Sequence, residues 1–232
     1  MTQNLTPPRD SHSPAPPGHD CSPAPPGHDC PLCPRLVDYR LRNRAAFPDK
    51  FNGPVPSFGG LDARLLVVGL APGLRGANFS GRPFTGDYAG DLLYATLLKF
   101  GFARGQYLER ADDGLTLIGA RITNAVRCVP PENKPTPEES HTCRPFLVDE
   151  LAAMPNLRAI VALGSVSHTS VIRTFGLRQA AHPFGHAARH DLGTGVTLFD
   201  SYHCSRYNTN TGRLTDAMFE DVFRAVRLAV DA

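Results

Sequence analysis

At 232 residues, with 41% apolar residues and a net charge of +2, the chain is long enough to bury one core without crosslinks and too evenly charged to declare a nucleic-acid or membrane partner. No run of residues reaches the apolar length of a membrane-spanning helix, and the first thirty residues are Pro-rich and polar, unlike a secretory signal, so the expected location is cytoplasmic. Six cysteines in a reducing compartment favour metal or catalytic roles over a disulfide scaffold.

The nonapeptide SPAPPGHDC at residues 13–21 recurs letter for letter at 22–30. Its paired prolines predict an extended, disordered tail over residues 1–28, with a single domain over 29–232. Cys21 and Cys30 share their upstream neighbours, but only Cys30 begins a C-P-L-C pair, with Cys33. PRLVDYRLRNRAAF then predicts a short helix with Leu36, Tyr39 and Phe47 inward and four arginines outward. ARLLVVGL (63–70) is a continuous apolar run ending at Gly and Pro, as expected of a parallel strand buried on both faces. YAGDLLYATLLKFG predicts an amphipathic helix stopped by Gly101.

LTLIGARIT (115–123) reads as the second strand. The helix TPEESHTCRPFLVDELAAM follows, with Thr136 as cap, Pro137 in the first turn and Glu139 closing a capping box. LRAIVALG (157–164) and GVTLFDSYH (195–203) are the third and fourth strands, each followed by a helical segment. Four alternations predict an α/β fold, a three-layer αβα sandwich around a central, mostly parallel four-stranded sheet, with ligands at the carboxyl ends of the strands.

Three loops should open on that rim. The first, GLAPGLRGANFSGRPFTGD (69–87), holds five glycines and two prolines, so its backbone can approach a ligand closely. It carries neither G-x-G-x-x-G nor G-x-x-x-x-G-K-[ST]. NAVRC leaves the second strand and HCSRYNTNTGRLT the fourth. Cys30, Cys33, Cys128 and Cys143 supply four thiolates, a number that suits zinc and an iron-sulfur cluster alike; Cys21 and Cys204 are left over. From Arg158 to His190 the chain has four arginines, four histidines and no acidic residue. That strip fits either a DNA backbone or an ordinary solvated face.

GLAPG, GRPFTGD, TNAVRCVPPENKPTPEE and HCSRYNTNTGRLT, in this order, resemble the motifs of the uracil-DNA glycosylase superfamily, specifically its iron-sulfur branch, family 5. The resemblance spans most of the chain after residue 30. It implies a monofunctional glycosylase that hydrolyses the N-glycosidic bond of uracil in DNA, and of other deaminated bases such as hypoxanthine, after flipping the base from the stack. It also implies a 4Fe-4S cluster, in place of zinc, on Cys30, Cys33, Cys128 and Cys143. The chain is expected to act as a monomer, with DNA as partner and no membrane. Leu70 departs from the pattern, because many superfamily members carry an acidic or amide side chain there to serve the hydrolytic water. The resemblance passes that duty to Asp87. Cys204 stands where the wider superfamily usually has proline.

Breaking an N-glycosidic bond leaves negative charge on the base and positive charge on the sugar, so a donor is wanted at one and a carboxylate near the other. His203 is the expected donor to the base oxygen and Asp87 the carboxylate. Asn124 offers both an acceptor and a donor to the N3–H and O4 of uracil, and Phe84 offers a flat face. Gly69, Ala71, Pro72, Gly73 and Asn78 of the first loop, with Ser205, Arg206 and Asn208 of the last, are expected around the extruded nucleotide and its phosphates. Each has a plainer reading: Asp87 as a helix cap, Asn124 as a turn former, Phe84 as core, His203 as a strand-end residue. The rivals at this point are a zinc-stapled nucleic-acid-binding domain without catalysis and an enzyme on a free nucleotide, using the glycine loop as an anion cradle.

Overall fold

A computed structural model describes residues 24–232; Cys21 and the first copy of the nonapeptide lie outside the described residues. The elements, in chain order, are α1 (Pro34–Ala46), β1 (Leu65–Gly69), α2 (Ala77–Ser80), α3 (Tyr88–Lys99), β2 (Ala103–Arg104), β3 (Thr116–Leu117) and β4 (Ala120–Asn124). They continue as α4 (Pro137–Ala152), β5 (Ala159–Leu163), α5 (Ser165–Thr174), β6 (Arg189–Asp191), β7 (Thr197–Ser201), α6 (Arg206–Asn210) and α7 (Asp216–Asp231). Five strands form the main sheet in the order β4-β1-β5-β7-β6, and β2 pairs with β3 as a separate small ribbon.

Side chains alternate between the two faces of a strand, so each fully apolar strand supplies two cores. Leu65 and Val67 of β1, with Val161 of β5 and Phe199 of β7, meet Leu93 and Leu97 of α3 and Phe219 and Phe223 of α7. Their neighbours Leu66, Val68, Ile160 and Leu198 face the other way, onto Leu147 of α4 and Val171 and Ile172 of α5. This is the expected αβα sandwich. The central strands are parallel, and register places Gly69 beside Asn124 and Leu163 beside Ser201, so their carboxyl ends open together.

The sheet has five strands, where the sequence pattern gave four. The extra strand, β6, runs antiparallel to β7 at the edge. Its three residues, Arg-His-Asp, carry no apolar signal, and only pairing with β7 makes them a strand. The expected strand 115–123 is interrupted at Gly119, in the left-handed region at φ 59°. Thr116–Leu117 therefore turn away to β2, and only Ala120–Asn124 enter the sheet.

The capping box at α4 forms as expected: Thr136 accepts from the Glu139 amide while the Glu139 carboxylate accepts from the Thr136 amide. On α1, Leu36 is buried and Phe47 is exposed. Arg40, expected outward, is 3% exposed. At the start of the described chain, His28 bonds to the Phe51 carbonyl at 3.0 Å, and Arg44 donates to the His28 carbonyl. Among the described residues no helix is long and apolar enough to cross a membrane.

Replacing Thr136 by Ala removes one half of the capping box and should lower stability by about 1 kcal/mol. A denaturant midpoint that falls with an unchanged slope would confirm a local cap loss.

Candidate active site

A cavity of about 370 Å³ opens where β1, β4 and β7 end. Asp87 from the first loop, Asn124 from the end of β4 and His203 from the loop after β7 all line it, together with Ala71, Pro72, Gly73, Phe84, Ser205 and Arg206. Three segments far apart in the chain thus converge on one guest-sized space. Leu70 also contributes to the wall, as do Tyr88 and Asn133, which the sequence patterns did not single out. Three expected contacts are placed differently. Asn78 is buried and donates to Asn52 Oδ1 at 2.8 Å, bracing the loop from behind. Asn208 donates to the His203 carbonyl at 2.8 Å, so it steadies His203. Gly69 sits under the floor.

Gly69 explains one of the five glycines. A Cβ there would lie 2.3 Å from Asn124 Oδ1 and 2.6 Å from Phe84 Cζ, so the two side chains can meet over this position only because it carries none. A Cβ on Gly76 would lie 2.4 Å from Asp87 Oδ2, and its absence lets the carboxylate pack against the loop. Phe84 itself has φ 52°, a left-handed conformation that costs a non-glycine residue energy and persists only when its surroundings impose it.

Those surroundings centre on Arg82. Its guanidinium makes two 2.7 Å bonds to Asp113, and the two side chains are 5% and 0% exposed. Its Nε donates to Thr85 Oγ1 at 2.7 Å, and its charge lies over the rings of Phe58 and Tyr94. Tyr94 donates to the Pro83 carbonyl at 2.7 Å, and Tyr107 donates to the Phe84 carbonyl while accepting from the Gly86 amide. Every residue from 82 to 86 is therefore tied down. Arg127 of the middle motif is likewise structural, donating to Glu150 and Ser57.

Asp87 serves as the N-cap of α3, accepting from the Gly90 amide at 3.2 Å, and still lines the cavity. Burial raises its pKa, against the opposing pull of the Gly90 and Ala89 amides. Burial alone lowers the His203 pKa to about 4, so the imidazole is neutral near pH 7. Its ring lies near-parallel to Phe84, with centroids 6.1 Å apart. Arg206 lies over the ring of Tyr88. Cys204 is fully buried beneath α3 and donates to the Ala89 carbonyl at 3.4 Å, so it packs and does not react.

The family model described as uracil DNA glycosylase superfamily matches residues 56–227. The chain belongs to this superfamily. A type-5 uracil-DNA glycosylase of Thermus thermophilus is 47% identical over 204 residues, covering 85% of this chain and 93% of the relative. Type-5 uracil-DNA glycosylases of Mycobacterium bovis and Pyrobaculum aerophilum are 44% and 41% identical, covering 84% and 86% of this chain and 76% and 88% of theirs. A type-4 uracil-DNA glycosylase of Pyrobaculum aerophilum is 34% identical over 53% of this chain and 56% of its own length.

In this member of the superfamily the four candidate cysteine ligands line one small cavity, with Cys30 before α1 and Cys33 at its N-cap, Cys128 after β4 and Cys143 on α4. No three of their sulfurs lie within 4.8 Å of one another. Four cysteines on one cavity are compatible with an iron-sulfur cluster. Burial pushes the Cys33 thiol up to about 11 and Cys128 to about 12; a bound cation is what would hold them as thiolates. Arg40 supplies the second sign of fit. It has no carboxylate partner among the described residues, its NH1 approaches Cys128 Sγ at 3.9 Å, and its NH2 donates to the Cys30 carbonyl. A buried cation needs a counter-charge, and four thiolates around a metal group provide it.

The basic strip from Arg158 to His190 is not one surface. His168 and His190 turn inward onto Asp200 at 2.8 and 3.1 Å. The second ring nitrogen of His168 faces the His182 carbonyl at 2.8 Å, so both of its nitrogens meet acceptors, an arrangement that favours the protonated ring. Burial opposes that charge, but Asp200 prevails and raises the pKa. Arg189 lies over Phe199.

Arg82→Ala would leave Asp113 buried without its partner, a loss of about 3–5 kcal/mol that thermal or denaturant unfolding will read. Gly69→Ala should cost about 1–3 kcal/mol by overpacking against Asn124 and the fixed Phe84 ring, read by denaturant unfolding, and should also weaken the binding of ligands in the cleft.

Proposed function

We propose that this chain is a monofunctional uracil-DNA glycosylase that hydrolyses the N-glycosidic bond of a deoxyuridine flipped into the cleft, leaving an abasic site. The observation that carries this reading is the convergence of Asp87 and His203 on one cavity. The extruded uracil lies against Phe84, with the Asn124 amide paired to its N3–H and O4. As the bond to the sugar lengthens, electrons move onto the base, and neutral His203 donates a hydrogen bond to the base oxygen that gains charge. Its low pKa means that it donates without first having to lose a proton. The ionised Asp87 faces the sugar, where it stabilises oxocarbenium-like charge and orients the water that adds to the anomeric carbon. Because its Oδ1 is held by the Gly90 amide, the carboxylate needs no reorganisation when charge develops. No lysine lines the cleft, which supports simple hydrolysis over Schiff-base chemistry.

The same reading extends to other deaminated bases such as hypoxanthine, and to Ser205, Arg206 and the main chain of residues 71–73 as contacts to the sugar and flanking phosphates. The chain acts as a monomer in the cytoplasm. Cys30, Cys33, Cys128 and Cys143 hold a 4Fe-4S cluster, whose part is to tie α1 to the end of β4 and to α4. The four cysteines on one cavity and the buried charge of Arg40 beside them support a thiolate-held group there, and the resemblance to the type-5 relatives favours the cluster over zinc.

Incubation with a uracil-containing duplex followed by alkali should break the strand at the uracil; intact strands would reject the proposal. Asp87→Asn and His203→Ala should each lower single-turnover excision by about 10²-fold or more while duplex binding persists. Activity needs ionised Asp87, so excision should fall as pH drops through its raised pKa. That acid limb should vanish in Asp87→Asn, while His203 protonation enters only near pH 4. The purified protein should be brown, with a broad band near about 400 nm, and oxidative loss of the band should lower the melting temperature.

A further inference from the structure

Outside the cleft, a second groove of about 310 Å³ runs between α4 and α5. Arg144 of α4 and Arg173 of α5 both line it, and no aspartate or glutamate does. Among the described residues neither guanidinium is bonded to a carboxylate: Arg144 approaches His141 at 3.1 Å, and Arg173 donates to Gln179 Oε1 at 3.1 Å. Burial, and then the charge of Arg173, hold the Arg144 pKa below its ordinary value. Two donors in this groove have no protein partner, the Arg144 Nε and the hydroxyl of Ser170, which is 2% exposed. Buried donors are almost always paired, so both are donors in want of an acceptor. The helix behind them adds to the field: α5 begins at Ser165 after Gly164, which has no side chain to cap its first amides, and its first turn holds no acid.

The groove adjoins the cleft. Asn133 belongs to the cleft wall and Pro135 to the groove. Gly164 backs onto His203, with an ideal Cβ 3.7 Å from the His203 Cβ, and the next residue, Ser165, opens the groove. The two arginines lie further along α4 and α5 from that junction.

We propose that the α4–α5 groove is a separate phosphate site, which takes a backbone phosphate of the DNA strand beyond the nucleotide held in the cleft, with Arg144 and Arg173 as cationic partners and Ser170 as a neutral donor. The proposal rests on the reading that this chain acts on DNA. It assigns the groove to affinity and not to chemistry, because neither arginine reaches the catalytic cavity.

The test uses the full chain carrying Arg144→Gln and Arg173→Gln together, with a thermal midpoint matching the wild type as the control for folding. Duplex affinity is measured over a salt series, and excision is measured in single turnovers at saturating DNA. Losing these contacts should weaken binding of every sequence alike and reduce the slope of log affinity against log salt by about 1 to 2. The saturated excision rate should stay unchanged. Arg144→Lys with Arg173→Lys should restore most of the slope. An unchanged affinity and slope in the glutamine variant overturns the proposal, and so does a slowed saturated rate at wild-type affinity. If inorganic phosphate raises the melting temperature of the wild type but not of the glutamine variant, while DNA binding is unaffected, the groove takes free anions and the DNA assignment fails. Wild-type protein that binds DNA with the full slope but never excises uracil would reject the glycosylase reading and leave the groove standing.

Discussion

The buried ion pair between Arg82 and Asp113 holds the first loop in the only shape that serves the cleft. A guanidinium taken out of water is tolerable only if its donors are filled and its charge is matched. Here Asp113, Thr85 and the faces of Phe58 and Tyr94 do both. With Arg82 anchored, Pro83 to Gly86 have little freedom left, and Phe84 is kept at a positive φ that it would otherwise leave. Asp87 follows directly and enters α3 as its cap. Neither the ring at the floor of the cleft nor the carboxylate on its wall is placed by its own contacts alone.

Burial then acts on the two titratable residues in opposite directions. It disfavours charge in both, which raises Asp87 and lowers His203. For His203 this is what a hydrogen-bond donor to a developing anion needs, since the neutral ring keeps its proton across the physiological range. For Asp87 the same desolvation works against the ionised form, and the amides at the start of α3 offset part of it. Capping does not compete with the catalytic role proposed for Asp87, because the residue caps α3 through Oδ1 and still lines the cavity.

At the opposite edge, the four cysteines join three segments whose apolar contacts are few, with Leu36 and Val126 as the main buried partners. Arg40 faces this cavity with no carboxylate partner among the described residues, and its nearest contacts are Cys128 Sγ and the Cys30 carbonyl. By contrast, the groove of Arg144 and Arg173 is lined by no carboxylate among the described residues, the ground of the phosphate proposal.

The sequence by itself determined the parallel sheet, because β1 and β5 are apolar on both faces and β7 sends Leu198 and Phe199 to opposite ones, so they are stable only between two helical layers. It also determined the rim on which Asp87, Asn124 and His203 meet, since parallel strands bring their carboxyl ends to one side, and the order of four motifs named the family. What it did not contain was any local mark of β6, whose polar residues become a strand only by pairing with β7. Nor did it separate Asn78 and Asn208, which brace loops, from Asn124, which faces the cleft, because one amide side chain suits all three places. Arg40 read as an outward charge and His168 as part of a basic strip until tertiary contacts supplied the cysteine cavity and Asp200, and nothing local marked Arg82 as the partner of Asp113. Periodicity reports which face of an element is apolar, but the partner of a buried charge comes from a distant segment, and only the folded chain brings the two together.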